Sequence, residues 1–213
     1  MKAPPLFDSF IKFISILPCF IIKNHNQIFE EEINSYPMIC NCDPILFCLK
    51  TFQSEDYYKG LLLSQQFKEF VYIHERDVPK TLAAMHSWVD GYSDICDPYS
   101  AASIEKWVEL VLFKKLVIEQ NGFVSHYLNN LKIGINANQF LSWKMIALVS
   151  FYKFYLEKRK PKNSDINDIL FSASFPYLDA VVLEKDLKES IRQIQKKHNF
   201  VSTLELYQIS DFR

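Results

Sequence analysis

Apolar residues recur at helical spacing through most of the middle of the chain. They fall on one helix face between Glu55 and Phe70, and the same spacing recurs from Lys80 to Val89 and from Ser100 to Ile118. A further segment, from about Ala137 to Lys158, is apolar almost all round, which is typical of a helix at the centre of a helical layer. The pattern predicts that residues 43–159 form a helical insertion or cap.

Capping and turn residues divide this segment into separate helices. Asp77-Val78-Pro79 predicts a helix start, because Pro is favoured in the first helical turn. Gly91 and Asp97-Pro98 predict breaks, and Asn121-Gly122 predicts the end of the helix that begins near Ser100.

Short apolar runs near both ends of the chain predict strands. Phe20–Ile22 and Ala180–Leu183 are too short for independent helices and too apolar for exposed loops, and Asn199–Leu204 predicts a final strand. We expect the first two runs to lie in one sheet. The predicted fold class is α/β but predominantly helical, with a small, largely parallel sheet formed by residues 1–42 and 160–213 around the helical insertion.

Acidic residues mark the junctions between the C-terminal elements. Asn163 and its neighbour Ser164 can cap a helix whose first turn holds Asp165 and Asp168 on one face. Asp179 precedes the apolar run 180–183, and Glu184 follows it. If these carboxylates converge, they repel one another unless protons or hard cations such as Mg²⁺ or Mn²⁺ neutralise them. Alternatively, they act only as helix caps, turn residues and partners of helix dipoles.

The acidic helix start at Asp165 and Asp168, the Pro176-Tyr177 connection and the segment Asp179–Glu184 together resemble the C-terminal half of PIN-like nucleases. Leu183 stands where that family usually has Thr or Ser, and Glu184 replaces its usual Asp. The resemblance covers roughly the last fifty residues. It implies a sheet with an acidic edge and a metal-dependent nuclease site.

A weaker resemblance lies near the N-terminus, where a strand is followed by the capping residue Asn24, Ile28 and an acidic stretch. It implies that Glu32, or as second choice Glu31, contributes an acid from this helix. A solvated acidic turn is the alternative for the same stretch. The family's first strand, which ends in Asp, has no counterpart before Phe10.

The PIN-like resemblance implies hydrolysis of phosphodiester bonds in RNA, or in DNA, by water activated on Mg²⁺ or Mn²⁺. It also suggests a toxin or defence role by analogy. Without the first acid, two alternatives to the nuclease remain open: a catalytically degenerate PIN-like scaffold, or a helical protein-interaction module without enzymatic activity. For an active nuclease, a protein partner or additional chain would have to complete the site. The implied catalytic residues are Asp165, Asp168, Asp179, Glu184 and Glu32, and the implied metal ligands are the same five with Glu31.

Basic residues suggest where RNA would lie. The run from Lys153 to Lys162 combines cations with aromatic residues, so it predicts either a solvated helix end or the phosphate-facing edge of a groove. The candidate nucleic-acid contacts are Lys158, Arg159, Lys160 and Lys185.

Composition narrows these alternatives. The chain has 213 residues and a formal charge of −1, which argues against broad binding of polyanions by net charge. The chain has only 4 Gly and no Gly-rich nucleotide motif, which argues against a Rossmann or P-loop enzyme. An odd count of 5 Cys and the lack of a secretory layout predict a cytoplasmic protein with reduced thiols. No apolar run reaches the length of a membrane span.

Overall fold

The computed structural model describes residues 5–16, 19–49, 55–93, 100–119, 136–156 and 160–212. Helices dominate, and the strands form two small sheets, so the predicted predominantly helical α/β class is confirmed. In chain order the elements are α1 (Pro5–Ile16), β1 (Cys19–Ile22), α2 (His25–Ser35), β2 (Ile45–Leu49), α3 (Glu55–Leu62), α4 (Gln65–Ser93), α5 (Ala101–Phe113), α6 (Leu141–Ser150), α7 (Asn163–Ser172), β3 (Ala180–Val182), α8 (Lys185–His198) and β4 (Glu205–Tyr207).

The chain divides into two compact units. The first consists of Met1–Lys23 with Ile45–Thr81, and the second of Asn24–Pro44 with Leu82–Arg213. These boundaries differ from the predicted core of 1–42 with 160–213 and insertion of 43–159. The difference arises because β1 pairs with β2 from the predicted insertion, whereas α6 packs against α7 and α8.

In the first unit, β1 and β2 pair in antiparallel fashion, with Cys19 opposite Leu49 and Ile22 opposite Ile45. Helices α1 and α3 also pack together, through the buried side chains of Ile11 and Tyr58.

In the second unit, β3 and β4 form a parallel pair in which Ala180 lies opposite Glu205. Helix α8 connects the two strands, as expected for a β-strand, helix, β-strand unit. The strand predicted at Asn199–Leu204 is wrong, since β4 begins only at Glu205. Asn199 and Val201 have φ angles of 46° and 50°, in the left-handed region that a strand cannot contain.

The prediction that Phe20–Ile22 and Ala180–Leu183 lie in one sheet is wrong, because β1 and β3 belong to different sheets. Both runs are short and apolar, a pattern that fits burial in any sheet and does not specify the partner strand. The partner of β1 is the nearby run Ile45–Leu49, which can be reached by a much shorter loop.

Helix α6 lies at the centre of the second unit and packs against α2, α5, α7 and α8. Every residue from Met145 to Ser150 is buried, which agrees with its all-round apolar sequence. Trp107 of α5 donates a hydrogen bond from Nε1 to the carbonyl oxygen of Ala147, at 3.0 Å. A π-helical turn, Phe151–Leu156, continues α6.

Two predicted helix boundaries in the middle of the chain are wrong. Helix α4 runs through Pro79 and Gly91. A helix therefore does not begin at Asp77, and none ends at Gly91. The predicted single helix Glu55–Phe70 is instead split near Ser64, whose hydroxyl accepts a hydrogen bond from the backbone N–H of Phe67, at 3.1 Å. The breaks predicted at residues 97–98 and 121–122 lie outside the described residues. None of the described helices is both long and apolar enough to cross a membrane.

Candidate functional site

Glu32 is positioned by a well-capped helix. The side chain of Asn24 accepts hydrogen bonds from the backbone N–H groups of Asn26 and Gln27, at 2.9 and 3.1 Å, and Gln27 Oε1 accepts from Asn24 N at 2.9 Å. This capping box starts α2 and directs Ile28 and Glu32, four residues apart, to one buried face.

The carboxylate of Glu32 is fully buried and accepts three hydrogen bonds. Ser142 donates from its backbone N–H at 2.7 Å and from its hydroxyl at 2.5 Å, and Tyr177 donates its phenolic hydroxyl at 2.5 Å. Burial raises the pKa of Glu32 to about 7, and these hydrogen bonds partly oppose the rise. Burial and the charge of Glu32 also raise the pKa of Tyr177.

These contacts make Glu32 the N-terminal cap of another helix. Phe140 occupies the N-cap position of α6 and has no side-chain oxygen that could accept from the first turn. Glu32 supplies that acceptor to Ser142 from across the core, where an anion also interacts favourably with the helix dipole. The neighbouring Glu31 accepts a hydrogen bond from the buried thiol of Cys42, at 3.1 Å.

Asp165 and Asp168 lie together, as the sequence predicted, on one face of the first turns of α7. Lys153, from the π-helical turn after α6, places its Nζ 3.3 Å from Asp165 Oδ1 and 2.7 Å from Asp168 Oδ2. The predicted caps Asn163 and Ser164 are already helical, and Asp165 Oδ2 accepts from the backbone N–H of Lys162 at 2.8 Å.

Lys153 and Asp165 form a buried ion pair, with side chains 4% and 5% exposed, whereas Asp168 is 37% exposed. Removal of one member of such a pair leaves an uncompensated charge in a medium of low polarity. Because a buried charge without a partner is costly, the removal is strongly destabilising. The sequence placed Lys153 in a run predicted to be a solvated helix end or a phosphate-facing edge, and its burial shows that neither prediction is correct for this residue. Its signal was a lone cation inside the apolar stretch Phe151–Leu156, where a lysine needs an anionic partner.

Asp179 and Glu184 are exposed and lie at opposite ends of β3. They are five positions apart in sequence, which corresponds to about 16 Å along an extended chain. Asp179 contributes its carbonyl oxygen to the sheet as the acceptor of Glu205 N–H. Glu184 is the N-cap residue of α8, but its side chain makes no capping hydrogen bond.

The five acids therefore do not share one site. Ser142, which holds Glu32, and Lys153, which holds Asp165, are eleven residues apart along a continuous helical segment, or about 16 Å. Ligands of one hard cation must all lie within about 2.6 Å of it. Among the described residues, no three His, Cys, Asp or Glu side chains are grouped so as to hold a metal ion. The residues present do not fit the Mg²⁺ or Mn²⁺ site that the resemblance implies.

The predicted nucleic-acid contacts are only partly described. Lys160 and Lys185 are exposed, with Lys185 at the start of α8. Lys158 and Arg159 lie outside the described residues.

The resemblance to PIN-like nucleases stays a prediction. It depends on Asp165, Asp168 and the segment Asp179–Glu184, while the shared sheet of β1 and β3 that it implied is wrong. Comparison with known proteins gives no relative, since no protein-family model, no curated protein and no solved structure matches the chain.

Proposed function

We propose that this chain is a binding scaffold that does not hydrolyse nucleic acid, and that its lysine at position 153 takes the place of a metal ion beside Asp165 and Asp168. The observation that carries this proposal is the position of the Lys153 ammonium, within 3.3 Å of both carboxylates. This is the catalytically degenerate alternative left open by the sequence.

A divalent ion would have to displace Lys153 to reach these two acids. The displaced ammonium would then remain buried without a partner, which is strongly unfavourable. Mg²⁺ also loses its water reluctantly and needs several oxygen ligands. Glu32 is not available as a further ligand because its carboxylate caps α6. The internal cation is therefore favoured over a metal.

Lys153→Met tests this role, because Met keeps the side-chain length and removes the charge. We expect the variant to lose about 3 kcal/mol of unfolding free energy at pH 7, since two carboxylates lose their counter-ion. Weak sites for hard cations have dissociation constants up to the millimolar range. Addition of about 5–10 mM Mn²⁺ should therefore raise the melting temperature of this variant and leave that of the parent unchanged.

Lys188→Met is the matched control. Lys188 is also a buried lysine, 8% exposed, and it pairs with the single carboxylate of Asp211 at 3.0 Å. Its removal should destabilise the protein without creating a response to Mn²⁺. If the parent instead shows Mn²⁺-dependent stabilisation and RNA cleavage, both lost in Asp165→Asn, the nuclease prediction is correct and the scaffold proposal is wrong.

A further inference from the structure

The second unit contains a group of cations and aromatic rings that uses none of the acids described above. It is formed by Lys144, Tyr152, Lys197, His198 and Phe200, which we name the basic–aromatic cluster. The residues come from α6 and its π-helical turn, from the end of α8 and from the loop before β4.

Two ammonium groups of the cluster lie over two rings. Lys144 Nζ is 4.4 Å from the centroid of Phe200, and Lys197 Nζ is 5.8 Å from the centroid of Tyr152. The hydroxyl of Tyr152 is 3.0 Å from Nε2 of His198. Attraction between each cation and the face of its ring holds charge and aromatic surface side by side.

The loop that carries Phe200 is held in an unusual conformation. Asn199 and Val201, on either side of Phe200, have φ angles of 46° and 50°. A β-branched residue such as Val is strained there, and strain of this kind is concentrated at functional sites. Gln195 fixes the loop by donating from Nε2 to the carbonyl oxygens of Val201 and Leu204, at 2.9 and 2.8 Å. Phe200 is half-buried on this loop, with the Lys144 ammonium over its ring.

The cluster is electropositive. Burial, together with the charges of Lys144 and Lys197, lowers the pKa of His198, which is therefore neutral at pH 7. Glu105 of α5 is the acid that opposes this effect. The exposed Lys196 adds a further cation next to Lys197.

We propose that the basic–aromatic cluster binds a nucleotide unit, namely a planar base with an adjacent phosphate. The base would contact the Phe200 ring, and the phosphate would lie near Lys144 and Lys197. Stacking on an aromatic ring accepts any base, and cations beside the ring neutralise the phosphate. Free nucleotides and single-stranded nucleic acid share this chemistry. The inference deepens the proposed function and rests on one part of it, namely that the chain binds its ligand without cleaving it.

Fluorescence anisotropy in EDTA tests the site with three probes: a labelled mononucleotide, a single-stranded oligonucleotide of about ten residues and a duplex of the same length. We expect the parent to bind the single strand or the mononucleotide more tightly than the duplex, whose bases are not free to stack. Phe200→Ala should weaken binding about 5- to 100-fold. Lys197→Gln should reduce the salt dependence of oligonucleotide binding by about 0.7 in slope.

Phe10→Ala and Lys68→Gln serve as controls, because they remove an exposed ring and an exposed cation from the first unit. Both control variants should bind the probes like the parent, and melting curves show which variants are folded. If Phe200→Ala does not fold, Lys197→Gln provides the test, because Lys197 is exposed. The proposal is wrong if the parent binds none of the probes at low salt, if Lys197→Gln binds like the parent, or if the duplex binds as well as the single strand. Each of these failures leaves the role of Lys153 unaffected, because that role is measured by the response to Mn²⁺.

Discussion

Glu32 is completely buried, and its carboxylate caps a helix that lies far away in the sequence. A helix is usually capped by the residue before its first turn, but Phe140 cannot fill that role for α6. The acid of α2 replaces it and also binds the hydroxyl of Tyr177. One side chain therefore joins three segments of the second unit, and its protonation state affects all of them.

This arrangement predicts a specific pH dependence of stability. The pKa of Glu32 is about 7 in the folded protein against an ordinary value of 4.5, so the folded state binds more protons between these pH values. Unfolding free energy should therefore fall as pH rises through this window, by about 3 kcal/mol for this group.

Glu32→Gln removes the titration and keeps the shape. The stability of parent and variant is measured by urea unfolding at pH values from about 5 to 8, a range that includes the folded pKa of Glu32. As pH rises over this range, the parent should lose about 3 kcal/mol of unfolding free energy relative to the variant. The difference also cancels the contribution of His198, whose lowered pKa acts in the opposite direction. A difference that is independent of pH would show that Glu32 does not titrate there.

The residues of the site were easier to find in the sequence than their roles. Asp165 and Asp168 stood out as acids in the first turns of a helix, and Glu32 through the resemblance to PIN-like nucleases. A metal, a lysine and a set of helix N–H groups all satisfy a carboxylate, and local spacing does not distinguish them. In the structure Lys153 pairs with Asp165, a contact that forms only when the helical turn of Lys153 packs against α7.

Among the elements, α2 offers a direct test of a local sequence signal. Asn24→Ala removes the acceptor of two backbone N–H groups, so we expect a loss of about 1 kcal/mol in unfolding free energy. The exposed Asn26→Ala, two residues further on, is the control and should change stability by less than about 0.5 kcal/mol. Equal effects in the two variants would mean that the cap contributes nothing.

Elements whose ends are set by local chemistry were predicted well. Ser100 caps α5 through its hydroxyl, at 3.1 Å from the N–H of Ser103, and the β3–α8–β4 order follows the sequence pattern. Failures occurred where packing overrides a local preference. Pro79 is accommodated inside α4, although it removes one backbone hydrogen bond, and Val201 adopts a conformation that its side chain disfavours.

For the whole molecule, the pairing of strands is the property that the sequence specified least. Period and composition identify a strand, but several runs of similar length and apolarity compete for each partner. In the structure, β1 pairs with β2 in the first unit, and β3 pairs with β4 in the second.

The β1–β2 register predicts a disulfide. Phe20 lies opposite Cys48, so Phe20→Cys should form a bond with Cys48 on mild oxidation, detectable by mass spectrometry of peptides. Ile22→Cys is the control, because position 22 lies opposite Ile45. If position 20 does not bond to Cys48, or if position 22 does so equally well, the register is different.

The π-helical turn that carries Lys153 has an evolutionary consequence. Such a turn contains one residue more than the α-helical turn it replaces, and each residue of a helix rotates the following side chains by about 100°. Loss of the codon for Phe151 or Tyr152 would therefore move Lys153 back by one position and put Phe154 in its place beside Asp165 and Asp168. Such a deletion, like a single base change in the Lys153 codon, would remove the internal cation and leave the two acids accessible to metal.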